Sequence, residues 1–356
     1  MEQEQSGSAG ERIKGFSAII GQEAAADFLK RALAGDKIPH AYLFTGIAGV
    51  GKTTAALAFT RTLNCEAPRD GEGCGNCVPC RRMDGGNLPD LEVLRPDGRV
   101  IKIEQVRELA RRIGLKTVAS RNRVSIVERA ETMTVEAANA FLKTLEEPPP
   151  GNILVLETLE KKDLLPTILS RCQTVPFRPV PADTLAAWLE REHGVPGETA
   201  AVLARLSEGS VGRALGMARS SELVDRMQSH LQVIAELRRR SPSEILGTAV
   251  QYAREERKRG AGDEDEGGLK GVLALWKTCF RDMMVLKCGG SGDLLVLEGE
   301  DGALKTASRS YTIDGLVESM MILDRAQRDL SRSRNLDLMM ETTLLSLKRV
   351  AEQRTS

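Results

Sequence analysis

Gly46-Ile47-Ala48-Gly49-Val50-Gly51-Lys52-Thr53-Thr54 has the spacing of a phosphate-binding loop: a glycine, four free positions, then Gly-Lys-Thr. Gly46, Gly49 and Gly51 let the backbone turn its N–H groups onto a polyphosphate, Lys52 can reach the β and γ phosphates, and Thr53 can hold a magnesium ion. The chemistry to expect is binding of ATP or ADP with Mg2+, with Thr54 beside Thr53 at the head of a helix. An ordinary glycine-rich turn would need neither the lysine nor its flanks. Here Ala41-Tyr42-Leu43-Phe44 reads as a strand and Ala55-Ala56-Leu57-Ala58-Phe59 as a helix, so the motif stands in its required context.

Cys65, Cys74, Cys77 and Cys80 form a C-x8-C-x2-C-x2-C array among Gly71, Gly73, Gly75 and Pro79. Four thiolates so close in sequence suit a tetrahedral structural Zn2+ with no open position for chemistry. Four free thiols or an iron–sulfur cluster are the alternatives. Zinc is expected, because nothing else in the chain points to electron transfer. Cys279 and Cys288 lie in apolar stretches and read as small buried residues.

A hydrolase with such a loop needs an acidic element at the end of a buried strand. Val124-Ser125-Ile126-Val127-Glu128-Arg129-Ala130-Glu131 is the candidate. Glu128 fits the metal-side position, but Arg129 stands where the water-activating carboxylate belongs, and a cation is no general base. Glu131, three residues on, reads as the start of the next element. Nucleotide binding is therefore better supported than turnover. Arg171, in Leu169-Ser170-Arg171-Cys172, is by itself an ordinary surface arginine; in an oligomeric ATPase such a residue can act on the γ-phosphate of a neighbour.

The chain around these residues has 356 positions, with 50 Lys+Arg against 50 Asp+Glu, so no global basic field drives nucleic-acid binding. Aromatics are only 3%, which argues against base-stacking platforms. No apolar run reaches spanning length, and Met1-Glu2-Gln3-Glu4-Gln5 carries no signal region. A cytoplasmic protein with reduced thiols and no membrane partner is expected.

Residues 1–14 read as a flexible polar segment. From 15 to 180, strand-like and helix-like segments alternate, which implies a parallel sheet covered by helices. Strands are expected at Leu91 to Leu94, Arg123 to Val127, Ile153 to Glu157 and Thr174 to Phe177, and helices at Ile103 to Ile113, Val135 to Glu146 and Leu164 to Ser170. The cysteine array at 65–80 interrupts this pattern as an insertion. Pro176, Pro179 and Pro181 mark a boundary. Beyond it, 181–220 reads as a small helical lid and 221–356 as a longer all-α domain, interrupted by the linker Gly260 to Gly268 and by Gly289-Gly290-Ser291-Gly292. Arg238 to Arg240 and Arg254 to Arg259 read as solvated helix faces.

Together, Ile20-Gly21-Gln22-Glu23, Pro39-His40, the phosphate loop, the four cysteines, Ala137 to Pro148 and Ile168-Leu169-Ser170-Arg171-Cys172 resemble the bacterial clamp-loader subunits of DNA polymerase III, within the AAA+ superfamily. Arg129 and the lid sequence Gly212-Arg213 make the chain similar to the delta-prime type rather than the gamma/tau motor type. The resemblance implies an AAA+ α/β domain with a zinc-binding insertion, a helical lid and an all-α collar. It implies a hetero-pentameric ring with gamma/tau and delta subunits that opens a sliding clamp and places it on primed DNA. Arg171 would then be the trans arginine finger, and Thr158 would sense the γ-phosphate. Arg107, Arg111 and Arg112 share a broad helical face and are candidate phosphate contacts, although a solvated face is the plainer reading. A motor ATPase of the same complex and a scaffold with locked nucleotide are the competing functions. A nucleotide kinase would need an acceptor pocket that no motif supplies.

Overall fold

The computed structural model describes residues 15–35, 38–118, 120–220, 226–259, 268–297, 301–330 and 335–353. The expected polar segment 1–14 and all of the expected linker except Gly268 lie outside the described residues. The chain divides into two compact units, residues 1–181 and 182–356.

In the first unit, strands β1 (Ala41–Thr45), β2 (Leu91–Leu94), β3 (Arg123–Val127), β4 (Asn152–Thr158) and β5 (Gln173–Pro176) form one parallel sheet in the order β2-β3-β4-β1-β5. Helices α1 (Glu23–Ala34), α2 (Lys52–Leu63), α3 (Val78–Asp84), α4 (Ile103–Ile113), α5 (Val135–Glu146) and α6 (Pro166–Leu169) follow in sequence. Side chains alternate across the pleat, so Tyr42 and Phe44 of β1 pack with Leu29, Ala55 and Phe59 of α1 and α2. Ala41 and Leu43 face the other way, into a second cluster with Val106, Leu109, Phe141, Leu145 and Ile168 of α4, α5 and α6. Burial on both faces explains why the strands read as continuous apolar runs.

Helix ends follow local chemistry. Thr134 accepts a hydrogen bond from Ala137 N–H (3.2 Å) at the start of α5, and Pro148 to Pro150 prevent its continuation. Pro166 begins α6, which is shorter than the expected Leu164 to Ser170, because proline is favoured in a first turn and disfavoured within a helix. β4 runs one residue further than expected at each end and so includes Thr158.

Asp90, fully buried just before β2, accepts from Val118 N–H (2.9 Å) and pairs with Arg123 at 3.4 Å. Arg123 also donates to the carbonyls of Leu115 (3.0 Å) and Lys116 (3.2 Å), closing the end of α4 onto the sheet. Removing one member of such a pair strands the other charge. Arg123→Ala is expected to destabilise this unit by about 3 kcal/mol, seen as a lower midpoint in urea unfolding followed by circular dichroism.

The second unit is entirely helical among its described residues: α7 (Ala182–His193), α8 (Gly197–Leu206), α9 (Val211–Arg219), α10 (Met227–Glu236), α11 (Pro242–Arg259), α12 (Leu269–Lys287), α13 (Asp301–Ser308), α14 (Ile313–Leu330) and α15 (Leu336–Glu352), with one short 3-10 turn at Gly292–Leu294. Its core centres on Trp276, whose indole N–H donates to His230 O at 2.8 Å, while His230 Nδ1 lies 2.6 Å from the Tyr252 hydroxyl. Arg205 of α8 donates to Leu295 O at 3.2 Å, so the first short helices are tied to the longer ones. The basic runs are paired with acids, as in Arg240–Glu236 and Arg257–Asp337. Cys279 is buried as expected, whereas Cys288 is exposed, because α12 ends at Lys287 and the chain turns there into Gly289-Gly290.

Candidate nucleotide site and cysteine cluster

β1 feeds the phosphate loop and α2 leaves it, at the carboxyl end of the sheet where open α/β folds bind ligands. Gly46 has φ 149°, and a Cβ there would lie 2.5 Å from Phe177 O, so no other residue fits without moving β5's exit. Gly51 caps α2 at φ 108°, which leaves the first N–H groups of the helix directed at the loop. Gly49 is exposed above them, and Thr54 is exposed on the first turn.

Lys52 is buried, with Nζ donating to Gly46 O (2.7 Å) and Ile47 O (2.9 Å). Burial pushes its ammonium below the ordinary lysine range, and the charges of Glu157 and Glu131 oppose that shift. The Thr53 hydroxyl donates to Glu157 Oε2 at 2.8 Å. Glu157 is 5% exposed, and its Oε1 is buried without a hydrogen-bond partner. Burial pushes its carboxyl up to about 7. Glu131 carries a similar buried, unpartnered Oε2.

Glu128 lies just past the end of β3. Both its oxygens are taken by Arg95, Nε to Oε2 and Nη2 to Oε1 at 3.0 Å each. The β2–β3 register aligns Leu94 with Val127, so the residues that follow, Arg95 and Glu128, come out side by side. Arg129 is exposed and held in the left-handed region at φ 53°. Thr158 ends β4 opposite Thr45; its carbonyl accepts from Gly46 N–H (3.2 Å), and its hydroxyl donates to Glu160 O (3.1 Å).

Arg171 follows α6. One guanidinium nitrogen meets Glu146 Oε1 at 2.6 Å and the other donates to Thr167 O at 2.8 Å, with the side chain 34% exposed. Arg111 and Arg112 of α4 are paired with Glu108, and Arg112 also with Glu92, while Arg107 is exposed. The basic side chains of this face are therefore partly neutralised by neighbouring acids.

The four sulfur atoms of Cys65, Cys74, Cys77 and Cys80 lie within 4.8 Å of one another. A tetrahedral ion with ~2.3 Å bonds to sulfur places sulfurs ~3.8 Å apart, and Cys77 Sγ is 3.9 Å from Cys65 Sγ. Cys74 N–H donates to Cys65 Sγ (3.1 Å) and Cys77 N–H to Cys74 Sγ (3.4 Å), contacts that favour thiolates. The donor set fits Zn2+, which all four cysteines would hold in a closed structural site. The insertion is fastened at both flanks: Arg61 of α2 pairs with Asp84 of α3, and Glu72 accepts from Phe16 N–H (2.7 Å) and Ser17 N–H (3.0 Å).

Residues 21–181 match the family described as DNA polymerase III, delta subunit. The DNA polymerase III subunit delta' of Bacillus subtilis is 29% identical over 313 residues, covering 88% of this chain and 92% of that protein. The chain is similar to clamp-loader subunits of DNA polymerase III over these spans. The chain is also similar to gamma/tau subunits: that of Mycobacterium tuberculosis is 38% identical over 181 residues, half of this chain but 31% of that protein's length. The crystal structure of a DNA polymerase III gamma subunit-related protein from Thermotoga maritima superposes with a TM-score of 0.51 at 18% identity, covering 92% of this chain and all of that one. The fold is thus shared with that protein, with a cysteine quartet able to bind zinc inserted between α2 and β2. Among the described residues, no helix is long and apolar enough to cross a membrane.

Glu157, which bonds Thr53, is not among the residues that the sequence motifs single out. Its one signal was a carboxylate inside the apolar run Ile153-Leu154-Val155-Leu156-Glu157.

Proposed function

We propose that this chain is the delta-prime-type subunit of a cytoplasmic DNA polymerase III clamp loader. It binds ATP or ADP with Mg2+ through Gly46, Gly49, Gly51, Lys52, Thr53 and Thr54, turns it over slowly, and presents Arg171 to nucleotide on a neighbouring subunit. The observation that carries this is the end of β3: Glu128 is clamped by Arg95, and Arg129 stands in the place of a general base. When bound, Mg2+ would neutralise phosphate charge. The protein's own task is to hold the phosphates on loop N–H groups and Lys52. The match over nearly the whole length of a delta' subunit supports the same assignment.

The partners are then gamma/tau and delta subunits in a five-membered ring, the sliding clamp and primed DNA, with 181–220 as lid and 221–356 as collar. Thr158 stands at the loop as γ-phosphate sensor. A motor-ATPase reading has one observation in its favour, the buried, unpartnered Glu131 Oε2 near Lys52.

Titration with fluorescent ADP and steady-state turnover of the isolated chain separate the two. Binding is expected, weakened about tenfold or more by Lys52→Ala, with turnover about a hundredfold below that of the assembled loader. Fast turnover lost in both Lys52→Ala and Glu131→Gln would establish the motor instead.

A further inference from the structure

The geometry points to Glu157 of β4 as the positioning residue that prepares Thr53 for a nucleotide-bound divalent cation, the task expected of Glu128 just after β3. This rests on the nucleotide-binding assignment above and says which carboxylate serves it.

A threonine hydroxyl has one proton and two lone pairs. The Thr53 proton is committed to Glu157 Oε2 at 2.8 Å, so the oxygen offers only lone pairs to whatever approaches from the loop. That is the state a cation ligand requires. Glu157 Oε1 is a second acceptor at the same place, buried and without a hydrogen-bond partner. An unmet carboxylate oxygen in a desolvated position is costly unless a cation or a donor completes it.

Chain register explains why β4 can do this. Thr45 pairs with Thr158 and Phe44 with Glu157, and Gly46 N–H bonds to Thr158 O, so the end of β4 lies directly against the loop. Glu128 meanwhile has both oxygens engaged by a bidentate guanidinium, the geometry that best satisfies a carboxylate. Its charge is neutralised on the β2 side of the sheet.

The test is equilibrium binding of fluorescent ADP to the full chain, in magnesium and in EDTA, with Glu157→Gln, Glu128→Gln and Thr53→Val, plus the melting temperature of each. The expected result is that Glu157→Gln removes most of the magnesium-dependent gain in affinity, about tenfold or more, while its EDTA curve moves far less. Thr53→Val should reproduce that loss, and the double variant should add nothing to it, since the two residues act as a unit. Glu128→Gln should cost less of the gain than Glu157→Gln. A Glu157→Gln protein that keeps the magnesium gain, or loses affinity equally with and without magnesium together with melting temperature, overturns the assignment. If Glu157→Gln does not fold, Thr53→Val with an unchanged magnesium gain overturns it alone. A wild-type chain that binds no ADP in either buffer removes the nucleotide-binding assignment, and this one with it.

Discussion

Replacing Arg171 with alanine is expected to slow ATP hydrolysis at the neighbouring subunit's site by about three decades or more, the range found for arginine fingers. The assembled loader would lose that site's share of its stimulated turnover, measurable in single-turnover experiments on a reconstituted complex. The residue is suited to the task by how it is held. Glu146 and the Thr167 carbonyl fix the guanidinium, yet about a third of the side chain stays exposed and able to reach outward. The same geometry predicts little loss of stability, since a partly exposed ion pair is worth about 1 kcal/mol or less. A large rate effect with an unchanged melting temperature is therefore the signature. Arg171→Lys should not restore the rate, because an ammonium lacks the planar fork that grips phosphate oxygens.

The second large effect concerns the metal. One zinc and no iron per chain is expected from elemental assay. Stripping it, or replacing Cys77 and Cys80 with serine, should cost several kcal/mol, because metal affinity in such closed sites is folding energy. The loss should be local at first. Without the ion, four sulfurs within 4.8 Å would hold the insertion only by weak contacts, and α3 would lose its anchor beside Arg61 and Asp84. Limited proteolysis should then cut between residues 65 and 90 while the sheet persists. Glu72 would also release Phe16 and Ser17, so fraying should spread to the 3-10 turn Phe16–Ala18. A chain with no bound metal and full stability would show the quartet to be four free thiols.

What the sequence made legible were features written in one stretch of chain. The loop, its strand and its helix lie within 25 residues, and the cysteine spacing describes a closed site before any coordinates are known. Strands buried on both faces announce themselves as apolar runs, so β1, β3 and β4 were expected nearly where they stand. Sheet order was not legible, because it depends on which strand ends meet in space. That order decides the site: placing β3 between β2 and β4 brings Arg95 beside Glu128, 33 positions apart, and placing β4 against β1 brings Glu157 to Thr53, 104 positions apart. An acidic residue after an apolar strand marks a site, but its partner must come from another strand. Arg111 and Arg112 show the converse: their basic face is visible in the sequence, whereas Glu92, one of the acids that pair with it, comes from another element, β2.

In the function proposed above, this subunit serves catalysis through its arginine more than through its own loop. The most direct measurement compares DNA-stimulated and clamp-stimulated ATP hydrolysis by loaders reconstituted with wild-type, Arg171→Ala or Lys52→Ala chains. Arg171→Ala is expected to silence one neighbouring site and to cost far more activity than Lys52→Ala. Loss of stimulated hydrolysis in Lys52→Ala, with Arg171→Ala equal to wild type, would contradict it and make this chain a motor.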